Sequence, residues 1–213
     1  MRLASANLCG TMLLLWLADA GAMLTDGRPG AFHEIAGTLS ATRQPASPAE
    51  SAEAERWQEI QVARRPSRIV SLCAAFLRDF PSSTKAEAVR VLAAGAARAQ
   101  TLQYQVGLSG DYFETTRGDP VMAANLMGAA RGSPVAAFEI AQAYGSGRHG
   151  VFASLYRHEQ WMRFAAGLGH ARASWDLAQI YNAYGRVADA AHYEKRATEL
   201  GYKPPPRLSN RDY

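Results

Sequence analysis

Phe138–Tyr144 reads FEIAQAY and Trp175–Tyr181 reads WDLAQIY, two nearly identical phrases 37 residues apart. Each runs aromatic, acid, aliphatic, Ala-Gln, Ala or aliphatic, Tyr. A period of that size is the length of a helix–turn–helix unit, which cannot bury its own apolar face and exists to stack on neighbours. Stacked helical hairpins form extended surfaces that hold other proteins. The expected fold class is therefore all-α, a short α/α superhelix, or solenoid, of helix–turn–helix repeats.

The flanking sequence extends this reading in both directions. Ile69, Leu72, Cys73, Phe76 and Leu77 make one apolar helical stripe, stopped at Phe80-Pro81. Lys85–Gln100 and Thr101–Leu108 read as two further helical stretches. Asp119-Pro120 is a start signal, an Asp cap followed by Pro at the first helical position, for a helix Val121–Ala130. Helices Val135–Tyr144, Val151–Ala166, Ala171–Tyr184 and Val187–Leu200 follow, each with glycine close behind it, as a left-handed C-terminal cap requires. No window alternates like a strand. The helical domain spans residues 67–202, and its clearest repeats are 135–169 and 171–201.

At this point the residues resemble the Sel-one-like repeats, a family related to the tetratricopeptides. Ile140–Tyr144, the turn Gly147 to Gly150-Val151, and Trp161-Met162-Arg163-Phe164-Ala165-Ala166 with Gly169 are similar to one unit of that family. Leu177–Tyr181 with His192–Ala197 and Gly201 is similar to a second, with a shortened turn. A weaker unit runs from Val106-Gly107 to Gly132. Ala stands where the family's first helix has Gly, and Phe164 stands where it has Lys. The resemblance implies scaffolding, often in bacterial envelope or signalling assemblies, and brings no catalytic residue.

Charge and composition outside the repeats point the same way. The net charge of +4 is uneven: residues 23–60 carry −3, residues 61–100 carry +5 and residues 101–213 carry +2. Residues 1–22 read as a signal peptide, with Arg2, the apolar core Met12–Ala18 and two small-x-small sites, either cleaved or kept as an anchor. That places the protein in the periplasm or outside the cell and lets it meet the membrane only through that segment. Residues 23–66 read as a disordered linker, rich in Ser, Pro, Ala and Glu, in which Glu53–Val62 has the makings of a short helix around Trp57. The Arg64, Arg65, Arg68 cluster is either a solvated linker or a site for an acidic partner, and no aromatics interleave it as nucleic-acid binding would favour. Residues 203–213 form a proline-containing tail, a helix stop or a docking peptide.

Chemical motifs are weak. Gly145–Gly150 (GSGRHG) fits G-x-G-x-x-G but follows a helix, where a nucleotide site needs a strand before it. Gly107-Leu108-Ser109-Gly110-Asp111 lacks the last glycine of a nucleophile elbow. No two of the histidines at 33, 149, 158, 170 and 192 stand at i, i+4, so the two-histidine face of a zinc helix is missing. Cys73 is a small core residue, and with Cys9 ahead of the apolar core no internal disulfide is expected in the exported chain. The expectation is a non-enzymatic protein-binding adaptor of the cell envelope, without cofactor, metal, nucleotide or nucleic acid. Its partner would lie along the first helices of the hairpins, on Glu139, Gln142, Arg172, Asp176 and Gln179. A regulator holding a membrane sensor, or a cell-wall hydrolase built on repeats, are the competing readings.

Overall fold

Ser47 opens the helical part of the chain. In the computed structural model, which describes residues 47–115 and 118–204, its hydroxyl accepts from the Glu50 amide while the Glu50 carboxylate accepts from the Ser47 amide. This reciprocal cap, with Pro48 in the first turn, starts α1 (Pro48–Val62). The helix therefore begins ahead of the expected Glu53, inside the stretch read as disordered linker. Ile60 is buried, and Trp57 lies edge-on to Phe76 of α2 (Pro66–Asp79), 6.3 Å between ring centres. Residues 1–22, most of the 23–66 linker expectation and nearly all of the 203–213 tail lie outside the described residues.

Seven helices follow α1: α2, α3 (Ala86–Gln105), α4 (Pro120–Ala130), α5 (Pro134–Ser146), α6 (Leu155–Leu168), α7 (Ala171–Ala183) and α8 (Val187–Glu199). A 3-10 turn, Gly110–Phe113, precedes α4. Among the described residues there is no strand, so the fold is all-α. The two stretches expected at 85–100 and 101–108 are one continuous helix, α3, because nothing between Gln100 and Thr101 breaks it. Asp119, Ser133 and Ser154 cap α4, α5 and α6 by accepting from the third residue on.

Helices pair in sequence: α2 on α3, α5 on α6, α7 on α8, with α4 against α5, α6 against α7, and α6 also touching α3. This is a short solenoid of hairpins, as the repeat spacing predicts. The two phrases take equivalent places in it: Ile140 and Leu177, and Ala141 and Ala178, are all fully buried. The core is densest where Trp161 and Phe164 of α6 meet Phe113, with ring centres 5.3 to 5.9 Å apart. Gln160, also buried, donates to the carbonyl oxygens of Val106 and Gly107, tying α6 to the end of α3.

Tyr144 and Tyr181 differ in burial although their positions correspond. Tyr181 is 2% exposed, covered by Tyr193 of α8 and by the Arg186 guanidinium 4.2 Å above its ring. Tyr144 is half-buried. The turn after α7 is short and folds Arg186 straight back onto Tyr181, whereas the longer turn Gly147–Ser154 returns to Tyr144 through its backbone, the Ser154 amide donating to the Tyr144 carbonyl oxygen at 2.8 Å.

Candidate functional site

The five sequence-derived candidates lie on α5 and α7. Glu139, Arg172 and Gln179 are exposed; Gln142 and Asp176 are half-buried. On α7 the spacing places Arg172, Asp176, Ile180 and Tyr184 four residues apart, one stripe along the helix. Arg172 Nε lies 3.6 Å from Asp176 Oδ2, a one-turn ion pair, and its guanidinium sits 5.8 Å from the centre of the Phe138 ring of α5.

His170, not singled out as a ligand by the sequence, organises this corner. Its Nδ1 accepts from the Ala173 amide at 3.1 Å, making the imidazole the cap of α7. The ring stacks flat on Phe138, centres 4.2 Å apart. An accepting Nδ1 is an unprotonated one, and burial pushes the His170 pKa down, against the opposing pull of Asp176 and Glu139. Burial pushes the Asp176 carboxyl up from its ordinary range, partly offset by Arg172 and by His158 and His170. Glu139, His170, Arg172 and Asp176 thus share one electrostatic neighbourhood between α5 and α7. Gln142 and Gln179 stand outside it.

Beside the α7 stripe lies a second feature that the sequence did not announce. Leu155 and Tyr156, at the start of α6, are 75% and 66% exposed, and Tyr184 at the end of α7 is 61% exposed. Together with Ile180, His158 and Glu159 they line a cleft of about 420 Å³ between the two helices. Its base is fixed: His158 Nδ1 lies 2.8 Å from the Ala141 carbonyl oxygen of α5, and Glu159 accepts from the Tyr181 hydroxyl at 2.8 Å. That Glu159 contact and burial both push the Tyr181 pKa up, burial the more. The only available sequence signal was that Leu155 and Tyr156 stand off the Trp161–Phe164–Leu168 stripe, a subtle departure at a helix end.

The remaining candidates resolve into structure. Gly147 of GSGRHG, in left-handed conformation at φ 69°, caps α5, and the motif is a turn between helices. Arg65 is paired with both Asp111 and Glu114 at 2.7 Å, so part of the basic cluster is neutralised within the fold. Cys73 is buried and free. Among the described residues no three His, Cys, Asp or Glu side chains gather as metal ligands, and no helix is long and apolar enough to cross a membrane. No family model, curated protein or solved structure matches the chain.

Proposed function

We propose that this protein is a non-enzymatic adaptor of the bacterial cell envelope, built from Sel-one-like repeats and exported by its first 22 residues. It holds a segment of a partner protein, as part of a secretion, conjugation, motility or exopolysaccharide assembly. The observation that carries this reading is the cleft between α6 and α7. Three large apolar side chains, Leu155, Tyr156 and Tyr184, stand mostly in solvent around it. Contiguous exposed apolar surface rimmed by polar groups is characteristic of interaction sites, and tyrosine is a favoured anchor there. The polar groups on the lining are His158 and Glu159; Arg172 and Asp176 continue the α7 stripe beyond Ile180, and Gln179, with Glu139 and Gln142 on α5, is taken as a further contact. Such a set of groups suits hydrogen bonds to a peptide and lacks the clustered cations that a polyanion needs.

The test is a pull-down from envelope extract with wild type, a Tyr156→Ala/Tyr184→Ala variant, and a Gln142→Ala/Arg172→Ala/Gln179→Ala variant. Specific partners retained by wild type are expected to be lost from the first and weakened in the second, with both variants folded by circular dichroism. Retention of every partner by the folded tyrosine variant removes this face as the binding site.

A further inference from the structure

Further along the same face of α6, where Arg163 and Gly167 follow Glu159 by one and two turns, α3, α6 and α8 enclose a cleft of about 330 Å³ that the adaptor reading does not use. Its walls hold Gln105 from α3, Arg163 from α6, and His192 and Arg196 from α8; Leu102, Val106 and Tyr193 supply apolar surface. No carboxylate lines it. We infer that this cleft is a second binding site, for a peptide carboxylate presented beside an apolar side chain.

Three features carry the inference. The first is uncompensated positive charge. Arg163 makes no hydrogen bond or ion pair with any described residue, whereas Arg65, Arg157, Arg172 and Arg186 all do. The second is preorganisation. Arg196 donates from Nε to the Ala166 carbonyl oxygen at 2.9 Å and from Nη2 to that of Gly167 at 3.1 Å. It is thereby pinned to the end of α6, while Nη1 remains free to donate. A guanidinium fixed in place gives up less freedom on binding a carboxylate, and arginine–carboxylate bonds are among the stronger ones in proteins. The third is the apolar part of the lining. Leu102 lies so close to Gly167 that a Cβ there would stand 2.6 Å from its Cδ2. A bare inorganic anion would leave that surface unused, and an uncharged apolar group would leave the cations unanswered. A carboxylate with a neighbouring aliphatic side chain satisfies both.

The inference rests on the adaptor reading only in taking the carboxylate from a peptide, and the two fail separately: loss of the pull-down partners leaves the cleft's chemistry testable. The experiment is an amide-resolved NMR titration of the full chain with four probes: N-acetyl-leucine, its uncharged amide, inorganic phosphate, and the acetylated tetrapeptide Ala-Ala-Ala-Leu with a free carboxylate. N-acetyl-leucine and the tetrapeptide are expected to shift Gly167 and its neighbours with similar affinity. The amide and phosphate should bind at least about tenfold more weakly, the scale of one lost charge-assisted contact. Arg163→Gln, which removes no hydrogen bond or ion pair among the described residues, should weaken both carboxylate ligands by about the same factor with the fold retained. Equal binding of the leucine amide or of phosphate, exclusion of the tetrapeptide, or full affinity in Arg163→Gln would each overturn the assignment.

Discussion

His170 shows how a single side chain links helix capping to pH. The imidazole caps α7 only while Nδ1 is unprotonated, and burial holds its pKa below the ordinary histidine value. With the folded value depressed, the unfolded chain binds the proton more readily, so stability is fully present above the unfolded value of about 6.5 and falls as pH drops through it. Asp176, whose folded carboxyl is raised by burial, gains stability on acidification, and it does so in the carboxylate range. Thermal melts from pH ~7.5 to ~5.5 should therefore show a loss in wild type that is smaller in His170→Asn, since asparagine caps without titrating. Parallel curves would mean that His170 is not the group responsible. The tyrosines give a second residue-scale expectation. Tyr181→Phe should cost about 1–2 kcal/mol through the lost bond to Glu159. Tyr181→Ala should cost about 3–5 kcal/mol. Tyr144→Ala, truncating a half-buried ring, should cost roughly 1–2 kcal/mol. Urea unfolding of the three variants checks the order, and equal losses at Tyr144 and Tyr181 would contradict their different burial.

Between elements, backbone packs directly on backbone where α3 meets the α4–α5 turn. A Cβ on Gly95 of α3 would stand 2.3 Å from the Arg131 carbonyl oxygen, and one on Gly132 would stand 2.6 Å from the Gly95 oxygen. Alanine ordinarily stabilises a helix interior by about 1 kcal/mol over glycine. Gly95→Ala should instead destabilise by about 1–3 kcal/mol, because the α4–α5 turn must move; a gain in urea unfolding would show that α3 is not held against that turn. The elements differ in how plainly the sequence displays them. From α4 to α8, Asp119, Ser133, the aromatic phrases and the closing glycines mark starts and stops within a few residues. The helix α1 is harder to see, because Ile60 and Trp57 are almost all that it contributes to the core, too few for a clear period. Its anchors are remote in sequence: Arg131 donates to the Gln61 carbonyl oxygen at 2.7 Å, and Lys85 and Ser83 donate to Glu53. The candidate surface was legible in part for the same reason. Spacing puts Arg172 and Asp176 one turn apart on α7, where they do meet, Asp176 half-buried and Arg172 exposed. The cleft at Leu155, Tyr156 and Tyr184 depends on which end of α6 meets which end of α7, which a single helix period does not encode.

Across the whole molecule, the uneven charge of the sequence becomes internal pairing. The acidic N-terminal helix meets the basic segment through Glu53 and Lys85, and Arg65 reaches Asp111 and Glu114. Two clefts stand out beside this pairing, the cationic one of α3, α6 and α8 and the apolar one of α6 and α7. The second is the centre of the proposed function. Site-specific photo-crosslinking tests it most directly, with a photoreactive residue at position 156, 184 or, as an equally exposed apolar control on α3, Val91 (66% exposed). The adaptor account expects the same discrete protein adduct from positions 156 and 184, absent at 91 and abolished when the other tyrosine is changed to Ala. Adducts of equal yield at all three positions, or at 91 alone, would contradict it.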